Sequence, residues 1–329
     1  MVMVFYQDII SVENLLKAWE EFVCGKKSKK DVSEFSLNLS RNIFDLHHDL
    51  VSRSYDHGSY ESFKINDPKP RDIHKATVRD RLLHHAVYRV LYPYFDRKFI
   101  YDSYSCRCNK GTHRAHSRFL HFFNKASYNN RKTCWVLKCD IRKFFASIDH
   151  AVLSQILKRH IVDEDVLGLI GNVVGSFEST AKGKGLPLGN LTSQLLVNIY
   201  MNEFDQWMKH AMKIRYYIRY ADDFVILSRD KNVPLELTAK IGEFLEERLM
   251  LSLHPDKVYI KTFSSGIDFL GWVHFPTHKT LRTSTKRRMF KKLKSAGDNE
   301  NVIQSYLGLL SHGNARKLQL QINREFGGD

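Results

Sequence analysis

A pair of adjacent acids between two apolar runs constrains the fold more than any other stretch of this sequence. Asp222 and Asp223 lie within residues 214–227, IRYYIRYADDFVIL, where aromatic and β-branched residues stand on both sides. This pattern predicts two short strands joined by a tight turn. Asn-Gly or Asp-Gly is the usual choice at such a turn, and neighbouring carboxylates repel each other. An isolated Asp-Asp pair can be an ordinary solvent-facing turn, but a divalent cation such as Mg²⁺ would also explain it.

A third acid occurs in a matching context. Asp140 ends the mostly apolar run 135–139 and is therefore expected at the end of another strand. If the two strands are neighbours in one sheet, the three carboxylates meet at one place. Carboxylates that hold two metal ions suit nucleotidyl transfer, in which one ion activates a 3′-hydroxyl group and the other stabilises the triphosphate. The candidate catalytic and metal-binding residues are therefore Asp140, Asp222 and Asp223.

Four motifs, in this order, resemble those of reverse transcriptases. They are the segment 140–145, the GLPLGNLTSQ run at 185–194, the YADD box at 220–223 and the GIDFLGW run at 266–272. These correspond to motifs A, B, C and E, and four motifs in order are a specific signal, whereas one alone would be weak. From about residue 67 onward the chain resembles a reverse transcriptase of the bacterial retroelement type. It is most similar to those of diversity-generating retroelements.

The resemblance implies an α+β fold of the right-hand polymerase type, with fingers, a palm of antiparallel sheet and packed helices, and a small helical thumb. We expect residues 1–275 to form the fingers and palm, and residues 276–329 to form the basic thumb. Apolar periodicity predicts helices through about residue 53, and alternation predicts a hairpin over 60–74. The implied activity is RNA-directed DNA polymerase. Its cofactors would be two Mg²⁺ ions, for which Mn²⁺ can substitute, with the backbone of Ile141 as a further ligand.

The resemblance also implies contacts between basic residues and the incoming nucleotide. Lys69 and Arg71 lie in the predicted finger hairpin, and Arg79 follows it. Fixed positive charge at this place matches the charge that develops on the triphosphate during transfer. Lys257, in the HPDK turn, would protonate the leaving pyrophosphate. Ordinary surface charge is the alternative interpretation of each of these residues.

Motifs A and B supply the other nucleotide-binding candidates. Phe145 would lie under the sugar and exclude the 2′-hydroxyl group of ribonucleotides. If this segment is extended, Phe144 and Phe145 point in opposite directions, so one packs inward and the other can face the site; both could instead be core. Gly189 would let the backbone pass close to the templating base or the nucleotide. Leu188 and Gln194 stand where many reverse transcriptases have Gln and Pro, a departure that matches the diversity-generating group and its misincorporation opposite template adenine.

An excess of basic residues predicts a polyanionic partner. The 329-residue chain has 51 Lys and Arg against 36 Asp and Glu, a formal net charge of +15, which suits nucleic acid or an acidic membrane surface. No uncharged apolar run approaches the ~20 residues that span a bilayer, and no signal peptide is evident. We therefore expect a cytoplasmic protein, bacterial or phage-encoded, whose five cysteines are reduced.

Template and primer contacts are predicted in three places. Basic residues alternate with tyrosines in 101–111, a combination that suits a nucleic acid strand. The run 266–272 would be the hairpin that grips the primer end, and a basic helix of the thumb would follow the duplex. The candidates are Arg107, Lys110, Arg114, Gly271, Trp272, Arg287 and Arg288.

Other functions remain open from the sequence. A catalytically idle RNA-binding scaffold could keep the polymerase shape, although it would have no reason to retain three repelling acids. A reverse transcriptase of antiphage defence would use the same residues to make protective cDNA. A primase or a template-independent transferase shares the acids. The resemblance implies a template RNA, an RNA/DNA hybrid and deoxynucleotides as partners, and, for the diversity-generating group, a small basic accessory protein in an oligomer.

Overall fold

The computed structural model describes residues 4–66, 70–179, 181–297 and 299–326. Its α-helices are α1 (Tyr6–Ile10), α2 (Val12–Val23), α3 (Lys30–Leu37), α4 (Leu39–Val51), α5 (Val78–Asp96), α6 (Thr112–Ala126), α7 (Phe144–Ser147), α8 (His150–Lys158), α9 (Glu164–Gly175), α10 (Leu191–Gln206), α11 (Asn232–Leu249), α12 (Thr283–Ala296), α13 (Glu300–Leu310) and α14 (Arg316–Phe326). Its strands are β1 (Glu61–Ile65), β2 (Arg71–Lys75), β3 (Trp135–Asp140), β4 (Tyr217–Tyr220), β5 (Asp223–Ser228), β6 (Tyr259–Thr262), β7 (Ile267–Phe269), β8 (Trp272–His274) and β9 (Lys279–Leu281).

A four-stranded antiparallel sheet forms the palm. Its strand order is β4-β5-β3-β6, so the predicted strand before the acid of motif A lies beside the YADD hairpin. Both faces of the sheet are covered. Phe224 and Ile226 belong to the larger core with α10 and α11, whereas Val225 and Leu227 pack in a second core with α6. Alternate residues of β5 therefore enter different cores, which is why its sequence is continuously apolar.

The predicted helices and hairpin of the fingers are confirmed. The helices α1 and α2 pack against the long helix α5, and α4 packs against α1 and α2. Leu15, Ile43 and Leu82 lie in their common core. The hairpin β1–β2 is antiparallel and extends from this helical base. Helix α5 continues three residues past Pro93, further than its periodicity predicts. Proline has no N–H group to donate to the carbonyl oxygen four residues earlier, and α5 ends three residues after it.

The predicted hairpin of motif E is confirmed, and a third strand extends it. Leu270 and Gly271, with φ angles of 49° and 87°, form the two-residue turn between β7 and β8, as expected for a tight antiparallel hairpin. Strand β9 then pairs with β8 and leads into the thumb helices α12, α13 and α14. Trp272 packs in one core with the thumb residues Met289 and Leu310. The division at residue 275 stays a prediction.

Candidate active site

Three carboxylates lie together at one end of the palm sheet. Asp140 is the last residue of β3 and is paired in register with Asp223, the first residue of β5. Asp222 precedes it in the turn, where Ala221 has a φ of 55°. The backbone N–H of Ile141 donates to the Asp222 carbonyl oxygen at 3.2 Å, which ties the turn to the end of β3. The structure thus brings together the acids that the sequence placed at two separate strand ends.

Two lysines compensate two of these acids. The ammonium group of Lys138 is ion-paired with the Asp223 carboxylate, and Lys257 Nζ lies 2.7 Å from Asp140 Oδ1. Burial and, to a smaller extent, the negative charge of Asp140 together raise the pKa of Asp222 to about 6. Burial also raises the pKa of Asp223, although Lys138 opposes the shift. Asp222 is therefore the carboxylate with the least local compensation, and positive charge placed beside it would be favourable.

The donor chemistry of this cluster fits a hard divalent cation. Within the described ranges, no group of three or more His, Cys, Asp or Glu side chains is arranged as a ready-made metal site. Asp140 and Asp222 nevertheless supply carboxylate oxygens, the ligands that Mg²⁺ prefers. Their mutual repulsion, seen in the raised pKa of Asp222, would be relieved by a cation between them. Because Lys257 already contacts Asp140, a cation would replace or share this counter-charge.

A fully buried ion pair supports the catalytic turn, and sequence reasoning missed it. Arg219 in β4 and Asp205 in α10 have side chains with no exposed surface, and two guanidinium nitrogens of Arg219 donate to the Asp205 carboxylate at 2.8 and 2.6 Å. Arg219 also donates to the Ala221 carbonyl oxygen at 3.1 Å and to Ser103 Oγ at 3.1 Å. The pair therefore connects the turn that carries Asp222 to α10 and to the loop before α6. The sequence did contain a signal for this pair, because Arg219 and Asp205 each lie within a mostly apolar run, where a charged residue is buried only if it is paired.

The finger hairpin and the motif B loop meet directly. The N–H of His74 in β2 donates to the Leu188 carbonyl oxygen at 3.0 Å. Gly189 has a φ of 112°, and a Cβ atom there would lie 3.0 Å from Ile73 Cγ2. Glycine is therefore required both by backbone conformation and by contact with the hairpin. Arg71 is exposed at the start of β2, two residues from this contact.

The remaining nucleotide-binding candidates differ in their surroundings. Lys69 lies outside the described residues. Arg79 is ion-paired with Asp49 of α4 and lies over the Tyr55 ring at 4.8 Å, so the N-terminal helices engage its charge. Gln194 is half-buried in the first turn of α10. Gln194 therefore adjoins the motif B loop, whereas the charge of Arg79 is paired with α4.

The chain after Asp140 turns into a short helix, so the extended conformation considered for Phe144 and Phe145 is not the one adopted. Lys143 adopts a φ of 45°, which ends the extended chain and starts the short helix α7. Phe144 is buried and Phe145 is half-buried, with ring centroids 5.5 Å apart. The Phe145 carbonyl oxygen accepts the N–H of Leu186 at 2.8 Å. The Phe144 ring therefore packs inward and the Phe145 ring is partly exposed, as the alternation suggested, but a helical turn produces this difference. Motif B lies beside the backbone of Phe145.

The loop before α6 holds its basic residues by contacts within the protein. The Arg107 side chain is 5% exposed, with Nε 2.6 Å from Asp96 Oδ1, and Nη1 donates to the Ile100 carbonyl oxygen. The donors of Arg107 therefore stabilise the loop, and its predicted contact with the template stays a prediction. Lys110 Nζ lies 3.4 Å from the Tyr101 ring centroid, and Arg114 donates to a backbone carbonyl while remaining exposed. These two side chains stay accessible to a template.

The candidates in the motif E hairpin and in the predicted thumb also differ in exposure, since some are buried and others are exposed. Trp272 is 3% exposed, and a Cβ atom at Gly313 would lie 2.0 Å from its ring. Its ring packs in one core with Met289 and Leu310, and its predicted contact with the primer stays a prediction. Gly271 remains at the hairpin tip. Helix α12 carries six basic residues and no acid; Arg287 is exposed on it and Arg288 is half-buried. The exposed face around Arg287 also includes Lys286, Lys291 and Lys294.

Comparison with known proteins identifies the family. Residues 64–274 match the family model described as reverse transcriptase (RNA-dependent DNA polymerase), a range that contains all four motifs. The chain belongs to the reverse transcriptase family. The matched range runs from the end of β1 to β8 and contains the whole palm sheet, with its acids at the ends of adjacent strands.

Among proteins of this family, the chain is similar to Protein YkfC of Escherichia coli strain K12, with 28% identity over 258 residues that cover 66% of this chain and 65% of YkfC. It is similar to the group II intron-encoded protein LtrA of Lactococcus lactis subsp. cremoris, with 22% identity over 276 residues, 64% of this chain and 45% of LtrA. The matches thus span less than two thirds of either relative. The diversity-generating subtype is therefore a finer statement than these relatives support.

A solved structure supports the fold. The chain is similar to apo telomerase from Candida Tropicalis truncated from its C-terminal domain, with a TM-score of 0.51 and 12% identity, over 70% of this chain and 55% of that chain. The α+β architecture predicted for a right-hand polymerase is confirmed. Among the helices that the structure describes, none is long and apolar enough to cross a membrane.

Proposed function

We propose that this protein is an RNA-directed DNA polymerase that extends a primer with deoxynucleotides on an RNA template. The observation that carries the proposal is the register pairing of Asp140 with Asp223 beside Asp222 at one end of the palm sheet, in a chain of the reverse transcriptase family. A scaffold without activity would be destabilised by this cluster, since burial raises the pKa of Asp222 and Asp223. Retaining such acids favours a function that uses their charge.

The residues around the acids suggest how the chain would support nucleotidyl transfer. Divalent cations, when bound, would activate the primer 3′-hydroxyl group and neutralise the triphosphate. Asp140 and Asp222 would hold them, while Lys138 keeps Asp223 oriented through its ion pair. Lys257, whose Nζ lies 2.7 Å from Asp140 Oδ1, would donate a proton to the leaving pyrophosphate. Arg71 at the finger hairpin would contact the triphosphate, next to the Gly189 contact.

Primer extension on an RNA template tests the proposal. We expect a DNA primer annealed to RNA to be extended with deoxynucleotides and Mg²⁺, and we expect the product sequence to follow the template. Extension without a template would identify a terminal transferase, and synthesis without a primer would identify a primase. If no product forms on a generic template or on RNA that co-purifies with the protein, the proposal is wrong and the scaffold is favoured.

Phe145→Ala is expected to relax selection against ribonucleotides. The Leu186 N–H donates to the Phe145 carbonyl oxygen, which holds the backbone of Phe145 beside motif B. Removal of the half-buried ring would open space for a 2′-hydroxyl group. Because steric exclusion of one small group is worth about 10- to 100-fold, the ratio of kcat/KM for dNTP over rNTP should fall by that factor. Phe145→Tyr keeps the ring and serves as the matched control. An unchanged ratio in Phe145→Ala would remove this role.

We further propose that the enzyme is error-prone at template adenines and acts in a diversity-generating retroelement. The support is the resemblance of motif B, where Leu188 and Gln194 replace the usual residues, and the contact of this loop with the finger hairpin. Sequencing of the extension products tests it. Errors concentrated opposite adenine support the proposal, whereas even fidelity at all four template bases favours a protective role in antiphage defence.

A further inference from the structure

A second basic surface lies at the end of the palm sheet that is opposite to the acids. Trp135 begins β3 and pairs with Ser228, the last residue of β5, whereas Asp140 pairs with Asp223. Five residues of antiparallel strand separate the two ends, a distance of about 17 Å. This surface, called here the distal palm surface, comprises the loop 128–133, residues 215–216 and residues 228–231. It is therefore separate from the proposed catalytic cluster.

Aromatic rings and cations are paired on the distal palm surface. The Arg229 guanidinium lies over the Tyr128 ring at 4.5 Å, and Lys231 lies over Trp135 at 5.1 Å. The Tyr128 residue is 53% exposed. Exposed aromatic rings of this size leave a face that can stack on a base, and a cation beside the ring can hold the adjoining phosphate.

The positive charge of this surface is not neutralised within the described part of the chain. Arg131, Lys132 and Arg229 are exposed and make no ion pair there, in contrast to Lys138 and Lys257 at the opposite end. Asp230 is the acid among them, and its carboxylate accepts the N–H of Asn232 at 2.9 Å. The surface therefore carries an excess of positive charge that favours a polyanion.

The shape of the surface suits an extended chain. An open groove of about 620 Å³ is lined by residues that include Lys132, Tyr216 and Arg229. Tyr128, Asn129 and Asn130 have consecutive φ values of 52°, 55° and 64°, an unfavourable backbone for these residues. Ser127 stabilises it, because its carbonyl oxygen accepts the N–H groups of residues 131 and 132 at 2.9 Å. This backbone holds Tyr128 outward at the rim.

We propose that the distal palm surface binds single-stranded nucleic acid, either template RNA or the new cDNA, outside the active site. The bases would stack on exposed rings such as Tyr128, and the phosphates would contact Lys132 and Arg229 in the groove. An acidic protein would match the charge alone, whereas nucleic acid also matches the exposed ring beside the guanidinium. The identity of the strand as template or cDNA rests on the proposed function, whereas binding of single-stranded nucleic acid is measured without polymerase activity.

Binding of labelled oligo(U) and oligo(dT) of about 20 nucleotides, longer than the 4–16 that one such surface covers, tests the proposal. Lys132→Ala/Arg229→Ala removes two phosphate contacts and should make the slope of log K against log salt less steep by about 1.4. The matched control is Lys240→Ala/Arg248→Ala, which removes two exposed charges of α11. Tyr128→Ala should weaken binding about fivefold or more, and Tyr128→Phe should bind as wild type does.

The outcomes separate the alternatives. A stronger effect on oligo(U) assigns the surface to the template strand, and a stronger effect on oligo(dT) assigns it to the cDNA. A salt slope equal to that of the α11 control, or unchanged binding by Tyr128→Ala, overturns the proposal. If the variants of this surface lost binding to polyglutamate but kept their binding to nucleic acid, the proposal would also be wrong and an acidic protein would be favoured. Failure of primer extension with these binding effects intact would contradict the proposed function and leave this inference standing.

Discussion

Asp222→Asn is expected to lower the rate of primer extension by about 10²- to 10³-fold or more. The amide keeps the size of the side chain but removes the carboxylate that lies in the turn beside Asp140 and Asp223. Metal-held charge in nucleotidyl transfer is worth several kcal/mol in the transition state, and about 1.4 kcal/mol corresponds to a factor of ten. Single-turnover extension on a pre-annealed RNA–DNA substrate measures this step.

The same substitution is expected to stabilise the metal-free protein. Burial and the charge of Asp140 raise the pKa of Asp222 to about 6. Because this folded pKa is above the unfolded value, ionised Asp222 lowers stability at neutral pH, and the penalty is lost as the pH falls below about 6. Thermal unfolding at pH 7 without divalent ions should therefore show a higher Tm for Asp222→Asn, and added Mg²⁺ should raise the Tm of the wild type more.

A neighbouring acid supplies the control. Asp256 is exposed in the turn before β6, so Asp256→Asn removes one negative charge close to the site without changing the strand-end cluster. We expect this variant to retain wild-type extension and Tm. If Asp222→Asn retained the activity of Asp256→Asn, the assignment of Asp222 as a catalytic acid would be wrong.

Arg219→Met is expected to destabilise the fold by about 3–5 kcal/mol. Both side chains of the Arg219–Asp205 pair have no exposed surface, and removing the cation leaves a carboxylate buried without its partner. Lys cannot reproduce the two parallel hydrogen bonds of the guanidinium, so Arg219→Lys should recover only part of the loss. Urea denaturation followed by circular dichroism measures the free energy of unfolding.

A double variant separates stability from positioning of the turn. Asp205→Leu/Arg219→Met removes both charges and should recover much of the stability lost in the single variant. The Ala221 carbonyl oxygen and Ser103 Oγ would still lack their donor, so extension should stay impaired in a folded protein, with a higher Mg²⁺ requirement. Recovery of full activity together with stability would mean that the pair has no positioning role.

The surface pair of Arg159 and Glu203 is the matched control. Its atoms lie 2.9 Å apart, but the Arg159 side chain is 57% exposed. Arg159→Met should cost at most about 1 kcal/mol, because exposed pairs contribute little. A loss in Arg219→Met no larger than this would contradict the structural importance of the buried pair.

Much of the active site followed from local pattern. The strand–turn–strand around the YADD box is confirmed, as is the strand that ends at Asp140, because alternation, β-branched residues and strand length are properties of short segments. The finger hairpin is confirmed for the same reason. The sequence predicted that Asp140 and Asp223 meet only if their strands are neighbours, and the structure supplies both the neighbouring strands and the register that pairs the two acids.

Residues whose meaning depends on distant partners were misjudged or missed. Arg107 was predicted to contact the template, and no local pattern showed that Asp96 and nearby carbonyl groups surround its guanidinium. Trp272 was predicted to contact the primer, yet the thumb closes over it at Gly313. Phe145 was considered in an extended segment, whereas the left-handed Lys143 begins a helix. In each case the side-chain type was noted correctly but its neighbours were not.

The sequence by itself determined the secondary structure of the palm, the order of the motifs and the acids they carry, since these depend on neighbours along the chain. Tertiary structure alone decided which charges are buried and which are exposed. Lys138 meets Asp223 across 85 residues, Lys257 meets Asp140 across 117, and Arg219 meets Asp205 between a strand and a helix. Burial and ion pairing depend on elements that are remote in sequence and close in space, and no local pattern specifies them.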